Sequence, residues 1–191
     1  MIYETIVTTT SAQGEIHIAP FGIQWRDGFV VISPFKPSAT LQNIMELSCA
    51  VLNLTDDVRV FAAAIARKTK FATLPINGFS GNRLQDCLAY HTLTLHHIEV
   101  DDLRPKLWME VTSTVSQGLF KGFNRAQAAV IELAVLVSRL HMLPPEKVMR
   151  ELEYLQIAID KTAGPQELEA WQWLLDCVNN HMAQQTGMQQ A

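Results

Sequence analysis

The sequence has little cysteine and no long apolar run, and each absence excludes a class of protein. Its three cysteines, Cys49, Cys87 and Cys177, are widely spaced and odd in number, so they suggest neither a disulfide framework nor a C-x-x-C pair. No apolar stretch approaches the roughly 20 residues that span a bilayer, and Glu4 lies where a secretory signal would be apolar. We therefore expect a cytoplasmic protein that is neither exported nor inserted in a membrane.

The chain also lacks a basic excess. Charged residues make up only 18% of the 191 residues, and the formal net charge is −4. Binding to nucleic acid relies on a positive surface that neutralises phosphates, so nucleic acid is not an expected partner. The low charge instead favours self-association, and the chain is long enough to bury a core without disulfides.

The first half of the chain has the pattern of an antiparallel β-structure. β-branched residues are dense over 2–10, and Asp27-Gly28 is a hairpin signal between two further strands. Pro34 and Pro37 end this run, since proline lacks the ladder donor. The predicted strands number about six and cover 2–10, 15–25, 29–32, 49–54, 90–100 and 106–115. Short helices are predicted over 39–48 and after Asp57, and residues 71–88 are expected to be mostly irregular.

The pattern becomes helical after Gly118 and Gly122. Asn124 is a helix cap, and Pro144-Pro145 and Gly164-Pro165 each end one helix and begin the next. The sequence therefore predicts an α+β protein with two domains, a strand-rich domain over 1–120 and a C-terminal three-helix region over 121–191.

Two stretches of the first domain are suited to a ligand with a planar ring and a phosphate. In the strand 15–25, Pro20 removes a ladder donor and Gly22 leaves the backbone bare, so peptide groups are available to a planar ligand. At the start of the helix 39–48, Ser38 and Thr40 offer hydroxyls next to Lys36, and a helix N-terminus favours phosphate. The alternative interpretation is that the hydroxyls only cap the helix and that His17 is a surface residue.

The order of these features resembles the FMN-binding split barrel superfamily, which includes flavin reductases, flavoredoxin and the pyridoxamine phosphate oxidase group. The motifs are a strand ending in Thr-Thr, a glycine turn, His-x-Ala-Pro-Phe-Gly, a proline-rich loop, Ser-x-Thr-x-x-Asn and a Val-x-Asn strand. The resemblance covers about residues 2–115. It is closer to a functionally uncharacterised branch that has a helical C-terminal region.

The resemblance implies an antiparallel split β-barrel and a homodimer that holds FMN near the subunit interface. It places the flavin ring against His17, Ile18, Ala19, Pro20, Phe21 and Gly22, and the phosphate against Lys36, Ser38, Thr40 and Asn43. Ala19-Pro20 replaces the Thr-Ser pair of the flavin reductases, which leaves fewer hydroxyls near the ring.

Three functions remain open at this point. The first is an FMN-dependent oxidoreductase of the flavin reductase type that acts on an unknown small molecule. The second is a non-catalytic FMN-binding or sensing protein that works through a partner. In the third, the barrel binds another phosphorylated ligand, such as a pterin or a haem-derived compound, or no ligand. No Gly-x-Gly-x-x-Gly fingerprint is present, so a nicotinamide would have to dock transiently over the flavin.

Other clusters of reactive residues have plainer interpretations. His91, His96 and His97 with Asp101 and Asp102 are metal-ligand types, but adjacent strand residues point to opposite faces. We interpret them as polar strand and turn positions and expect no metal. The aromatic residues Tyr154, Trp171 and Trp173 form either a binding surface or, as we favour, a helix core or dimer interface.

Overall fold

The structure is a computed structural model and describes residues 1–68 and 71–188. The elements of the N-terminal half are β1 (Tyr3–Thr10), β2 (Ile16–Arg26), β3 (Phe29–Ile32), α1 (Ala39–Leu47), β4 (Cys49–Leu54), α2 (Arg59–Ala66), β5 (Thr73–Pro75), β6 (Asn82–Leu84), β7 (Ala89–Glu99) and β8 (Lys106–Ser116). Six antiparallel strands of this half close into a barrel in the order β1-β2-β3-β8-β7-β4. This barrel confirms the predicted split-barrel class and its strand number.

The barrel forms around side chains that alternate along its strands. Asp27 and Gly28 both have positive φ, 51° and 84°, which is the geometry of the predicted tight hairpin between β2 and β3. The inward-facing residues include Ile23, Val30 and Ile32 from these strands, and all three are fully buried. Leu52, Leu93, Leu107 and Met109 from β4, β7 and β8 complete the same core.

A short hairpin, β5 with β6, is attached to the barrel by a buried polar group. The amide of Asn53 in β4 is fully buried. Its Oδ1 accepts a hydrogen bond of 2.8 Å from the Leu84 backbone N–H, and its Nδ2 donates to Thr8 Oγ1 at 3.1 Å. Residues 71–88 are mostly irregular, as predicted, but the prediction missed the two short strands β5 and β6. Strands of three residues are too short for an alternating pattern to reveal them.

The remaining helices are α3 (Arg125–Val137), a short 3-10 helix (Leu140–Met142), α4 (Pro145–Thr162) and α5 (Pro165–Met188). The cap predicted at Asn124 is confirmed, since its side chain accepts from the N–H groups of Ala126 and Gln127. Prolines occupy the first position of α4 and α5 as predicted. None of the helices in the described part of the chain combines the length and the apolar character needed to cross a membrane.

By its contacts the chain divides into two compact units, and their boundary is not a single point in the sequence. One unit consists of Met1–Asp56 and Phe71–Phe120, and the other contains the rest of the described chain, including α2. We call them the barrel unit and the helical unit. The helix α2 groups with α3, α4 and α5 because Val58 and Ala62 belong to the apolar core of those helices. Apolar spacing alone shows that α2 is amphipathic, but not which core it joins.

Candidate functional site

The first half of β2 is a strand with one open edge. Residues Ile16–Ile23 pair with β1, whereas β3 pairs with β2 only from Gln24 to Arg26. Among the described residues no other strand pairs with this half of β2. None of the side chains over 16–22 is buried, although the opposite residues 5–9 of β1 are all buried. The backbone groups on the outer edge are therefore available to a ligand or a second chain.

The predicted ring-binding residues all lie on this half-strand. His17 is opposite Thr9, Ala19 is opposite Val7, and Phe21 is opposite Thr5, whose hydroxyl donates to the Phe21 carbonyl at 3.0 Å. Burial lowers the pKa of His17 below its ordinary value, so the ring is neutral at physiological pH and offers one donor and one acceptor. The strand thus presents peptide groups and one imidazole.

The backbone of Gly22 lies close to the side chains of two other residues. A Cβ at this position would lie 2.8 Å from Cγ2 of Ile2 and 3.3 Å from a carboxylate oxygen of Glu4. The side chains of Ile2 and Glu4 therefore lie over the glycine, and a larger residue would displace them. Glycine at this position therefore allows the close packing of Ile2 and Glu4, in addition to exposing the backbone.

The predicted phosphate-binding residues belong to one loop and helix, but they face different surroundings. Ser38 caps α1, since its Oγ accepts from the Leu41 N–H at 3.3 Å. Thr40 and Asn43 are buried, and Asn43 Nδ2 donates to Thr9 Oγ1 at 2.9 Å. Lys36 is exposed. Ser38 therefore caps the helix, as the alternative interpretation states. Capping does not exclude phosphate binding, because the helix start is accessible.

A buried side-chain hydrogen bond links the two predicted halves. Asn43 of α1 bonds to Thr9 of β1, and Thr9 lies directly opposite His17 of β2. The helix start that suits a phosphate and the strand that suits a planar ring are therefore neighbours on the barrel. The sequence separates them by about twenty residues, and the pairing of β1 with β2 joins them.

Sequence reasoning missed a second loop, 100–105, that supports the loop before α1. The Lys36 backbone N–H donates to the Leu103 carbonyl at 2.9 Å, and Lys36 Nζ donates to the Asp101 carbonyl at 3.1 Å. Arg104 donates through Nη2 to the Ser33 carbonyl at 3.0 Å, and its guanidinium lies 4.4 Å from the centre of the Phe35 ring. Two cations, Lys36 and Arg104, therefore lie on adjoining loops.

The loop 100–105 is itself held by a carboxylate. Asp101 Oδ1 accepts from the N–H groups of Leu103 and Arg104 at 2.9 and 2.7 Å. These bonds to the charged form lower the pKa of Asp101. No local signal marks Arg104, because its partner Ser33 is 71 residues away.

The prediction for the adjacent histidines was wrong in geometry. We expected His96 and His97 on opposite faces of the strand, but their Nδ1 atoms are 2.8 Å apart. A β-bulge between Leu95 and His97 places one extra residue opposite β8 and turns both rings to the same side. His97 stacks on Trp108 with ring centres 5.1 Å apart. Across the described residues, no group of three or more His, Cys, Asp or Glu side chains could hold a metal ion.

Cys49, Cys87 and Trp171 are buried and contribute to packing. Burial raises the pKa of the Cys49 and Cys87 thiols, which makes the nucleophilic thiolate scarcer. Trp171 is buried in the core of the helical unit, and its Nε1 donates to Gln156 Oε1 at 3.1 Å. Tyr154 differs from the two tryptophans because it is 73% exposed.

The family of the chain follows from two adjoining matches. The N-terminal domain model of a protein of unknown function, DUF447, matches residues 3–117, and its C-terminal model matches residues 124–176. The chain belongs to the DUF447 family. A search of curated proteins finds no match.

Solved structures share the DUF447 fold in whole or in part. An FMN-bound DUF447 protein from Methanosarcina mazei is 19% identical, with a TM-score of 0.78 over 92% of this chain and 94% of that chain. A putative flavin reductase with a split barrel domain from Shewanella frigidimarina is 11% identical, with a TM-score of 0.53 over 65% of this chain and 74% of that chain. Flavoredoxin from Methanosarcina acetivorans is 12% identical, with a TM-score of 0.52 over 63% and 73%. These likenesses confirm the split-barrel fold.

Proposed function

We propose that this DUF447 protein is an FMN-binding flavoprotein that works as a homodimer and transfers electrons to or from a small molecule. The observation that carries the proposal is the open edge of β2 beside the start of α1. The strand edge can bind a planar ring, and the neighbouring helix start can bind an anion. The FMN-bound relative from Methanosarcina mazei, which shares the fold over most of both chains, supports the choice of ligand.

At the phosphate end, we assign the contacts to Lys36, Ser38 and Arg104. The N–H groups of Ala39 and Thr40 begin α1, where an α-helix leaves its first amides without partners. Lys36 and Arg104 supply positive charge, and both already bond to carbonyls that fix their positions. Asn43 bonds to Thr9 of β1 and Thr40 is buried, so we propose that both help to seat α1 and do not contact the phosphate.

At the ring end, the chain supplies orientation and hydrogen bonds. Peptide groups of 17–22 on the open edge of β2 would face the polar rim of the flavin. Neutral His17 would donate or accept one hydrogen bond there, because burial keeps its pKa low. The redox chemistry itself belongs to the flavin.

A second copy of the chain is the expected cover for the exposed apolar residues of the barrel unit. Ile2, Tyr3 and Ile16 are 59%, 47% and 39% exposed. Ile16 begins β2, whose first half has the open edge, and Tyr3 and Ile2 lie at the start of β1 and just before it. An uncovered strand edge with apolar neighbours promotes association. Analytical ultracentrifugation at micromolar protein tests this step, and a monomeric mass would contradict it.

Reconstitution with FMN tests the central claim. The protein should become yellow, and visible flavin absorbance should remain with it through gel filtration. The double variant Lys36→Ala/Arg104→Ala should bind FMN at least about tenfold more weakly, because each charge-assisted contact to phosphate is among the stronger hydrogen bonds. Its affinity for riboflavin, which lacks the phosphate, should change little.

The matched control for this test is Arg26→Ala, which removes an exposed cation from the barrel unit at the β2–β3 hairpin. Equal weakening by the control would mean that net charge, rather than this site, governs affinity. Protein that stays colourless after reconstitution overturns the proposal. Mass spectrometry of ligand extracted from native protein then identifies any other phosphorylated compound.

A non-catalytic FMN-binding role is the second candidate. It is favoured by Ala19-Pro20, because His17 is the only titratable side chain on the segment 17–22 and an acid or base for substrate chemistry must come from elsewhere. Oxidation of reduced nicotinamide by the reconstituted protein separates the two roles. Turnover well above that of free FMN supports the oxidoreductase, and turnover equal to that of free FMN supports the binding role.

A further inference from the structure

The helical unit contains a cleft that is separate from the candidate flavin site. Residues from α3, the short 3-10 helix region and α4 line it, and its volume is about 460 Å³. Small-molecule sites have volumes of about 300–1,000 Å³, so the cleft is large enough for a compact ligand. All of its lining residues belong to the helical unit.

Four charged side chains surround the cleft without pairing with one another. Glu132 and Arg139 come from α3 and the turn after it, and Lys147 and Glu151 come from α4. Within the described chain, none of these four lies within 4.0 Å of an opposite charge. Two positive and two negative groups therefore remain available to a ligand, and their charges sum to zero.

The charges are sorted by sign along the cleft. Arg139 comes two residues after the end of α3, and Lys147 is in the first turn of α4, so both cations lie beside the connection between these helices. Glu132 lies within α3 five residues before its end, and Glu151 lies within α4 four residues after Lys147. At about 1.5 Å per residue, the backbone of each acidic residue is therefore roughly 6–8 Å along its helix from the end where the cations lie.

Apolar side chains line the cleft together with these charges. Val135 and Leu136 of α3, Leu143 of the connection and Leu155 of α4 contribute them. Tyr154, whose ring is 73% exposed, adds an aromatic surface. An apolar lining between separated charges matches a small molecule that has an apolar side chain and carries both charges.

We propose that this cleft binds a small zwitterion with an apolar side chain, of the amino-acid class. Its carboxylate would face Arg139 and Lys147, and its ammonium would face Glu132 and Glu151. The neutral sum of the four charges disfavours ligands of net charge, since one pair would then repel or stay unpaired. All lining residues belong to the helical unit, so this proposal does not rest on flavin binding.

A series of three probes tests the charge requirement on the full chain. L-phenylalanine carries both charges, N-acetyl-L-phenylalanine keeps only the carboxylate, and L-phenylalaninamide keeps only the ammonium. Because all four charged residues are exposed, isothermal titration should show that L-phenylalanine binds at least about threefold more tightly than either analogue, the scale expected of exposed ion pairs. Absence of L-phenylalanine binding at millimolar concentration overturns the proposal, as does equal binding of either analogue.

Substitutions then test whether L-phenylalanine binds in the cleft. The variant Arg139→Gln/Lys147→Gln should weaken L-phenylalanine binding at least about tenfold by removing both carboxylate partners. Arg150→Gln/Glu153→Gln changes exposed charges of the same helix outside the cleft and should leave affinity unchanged. Circular dichroism verifies that both variants are folded. An equal loss in the two variants would show that the ligand binds elsewhere.

Discussion

The two units build their cores from different kinds of residue. The barrel unit buries polar side chains among its apolar ones, namely Thr5, Thr8, Thr9, Thr40, Asn43, Asn53 and Thr92. In the described part of the helical unit, Glu167 is the one polar side chain in the buried class, and the other buried residues are alanine, valine, leucine, isoleucine, phenylalanine and tryptophan. Buried side-chain hydrogen bonds therefore contribute to the core of the barrel unit, whereas the buried core of the helical unit is almost entirely apolar.

The difference follows from how each backbone satisfies its own polar groups. A helix pairs its N–H and C=O groups internally, so its side chains are needed mainly for packing. A small barrel has turns, bulges and an attached hairpin whose backbone groups need other partners. Asn53 provides such partners, since it bonds at once to backbone groups of Ile6, Val51 and Leu84.

The largest expected effect in this comparison is therefore at Asn53. Asn53→Ala should lower the free energy of unfolding of the barrel unit by about 4 kcal/mol, because it removes four buried hydrogen bonds and leaves the Leu84 N–H unpaired. Urea unfolding followed by Trp25 and Trp108, in a Trp171→Phe/Trp173→Phe background, measures the change. The exposed Gln85→Ala is the control. A loss below about 1 kcal/mol would mean that the polar network contributes little.

The matching change in the helical unit is Leu174→Ala. Leu174 is fully buried, and removal of its side chain should cost about 3 kcal/mol through lost burial and the cavity left behind. Unfolding followed by Trp171 and Trp173, with Trp25 and Trp108 changed to Phe, reports on this unit. Leu168→Ala, on the same helix but 51% exposed, should cost much less. Equal costs would show that α5 is not held by its buried face.

The smallest predicted effect is a loss of stability at acidic pH, and it should appear in the barrel unit. Burial lowers the pKa of both His17 and His91, so the unfolded chain binds protons more readily than the folded one. Their contribution to stability is therefore present above the ordinary histidine pKa and is lost as the pH falls through their lowered values.

The free energy of unfolding of the barrel unit, measured at about pH 7.5 and about pH 5.5, should be lower at the lower pH. The variant His17→Gln/His91→Gln should lose less stability over that range than the parent protein. NMR titration of the two rings provides a direct check. Ring pKa values at or above 6.5 would contradict the prediction.

Local sequence determined most of the elements. The hairpin at Asp27-Gly28, the cap at Asn124 and the prolines that begin α4 and α5 act through neighbouring backbone, so their signals are visible in a short window. The strands β3 and β4 begin and end at the predicted residues. The split-barrel fold was predicted through the resemblance of about residues 2–115 to a known superfamily.

Only the tertiary structure decided what depends on distant residues. The attachment of β6 to the barrel relies on Asn53, the bulge at His96 relies on the register with β8, and Arg104 reaches Ser33 across 71 residues. The grouping of α2 with the helical unit likewise depends on which core its apolar face meets. In each case the stabilising partner is remote in sequence, so no local propensity or periodicity encodes it.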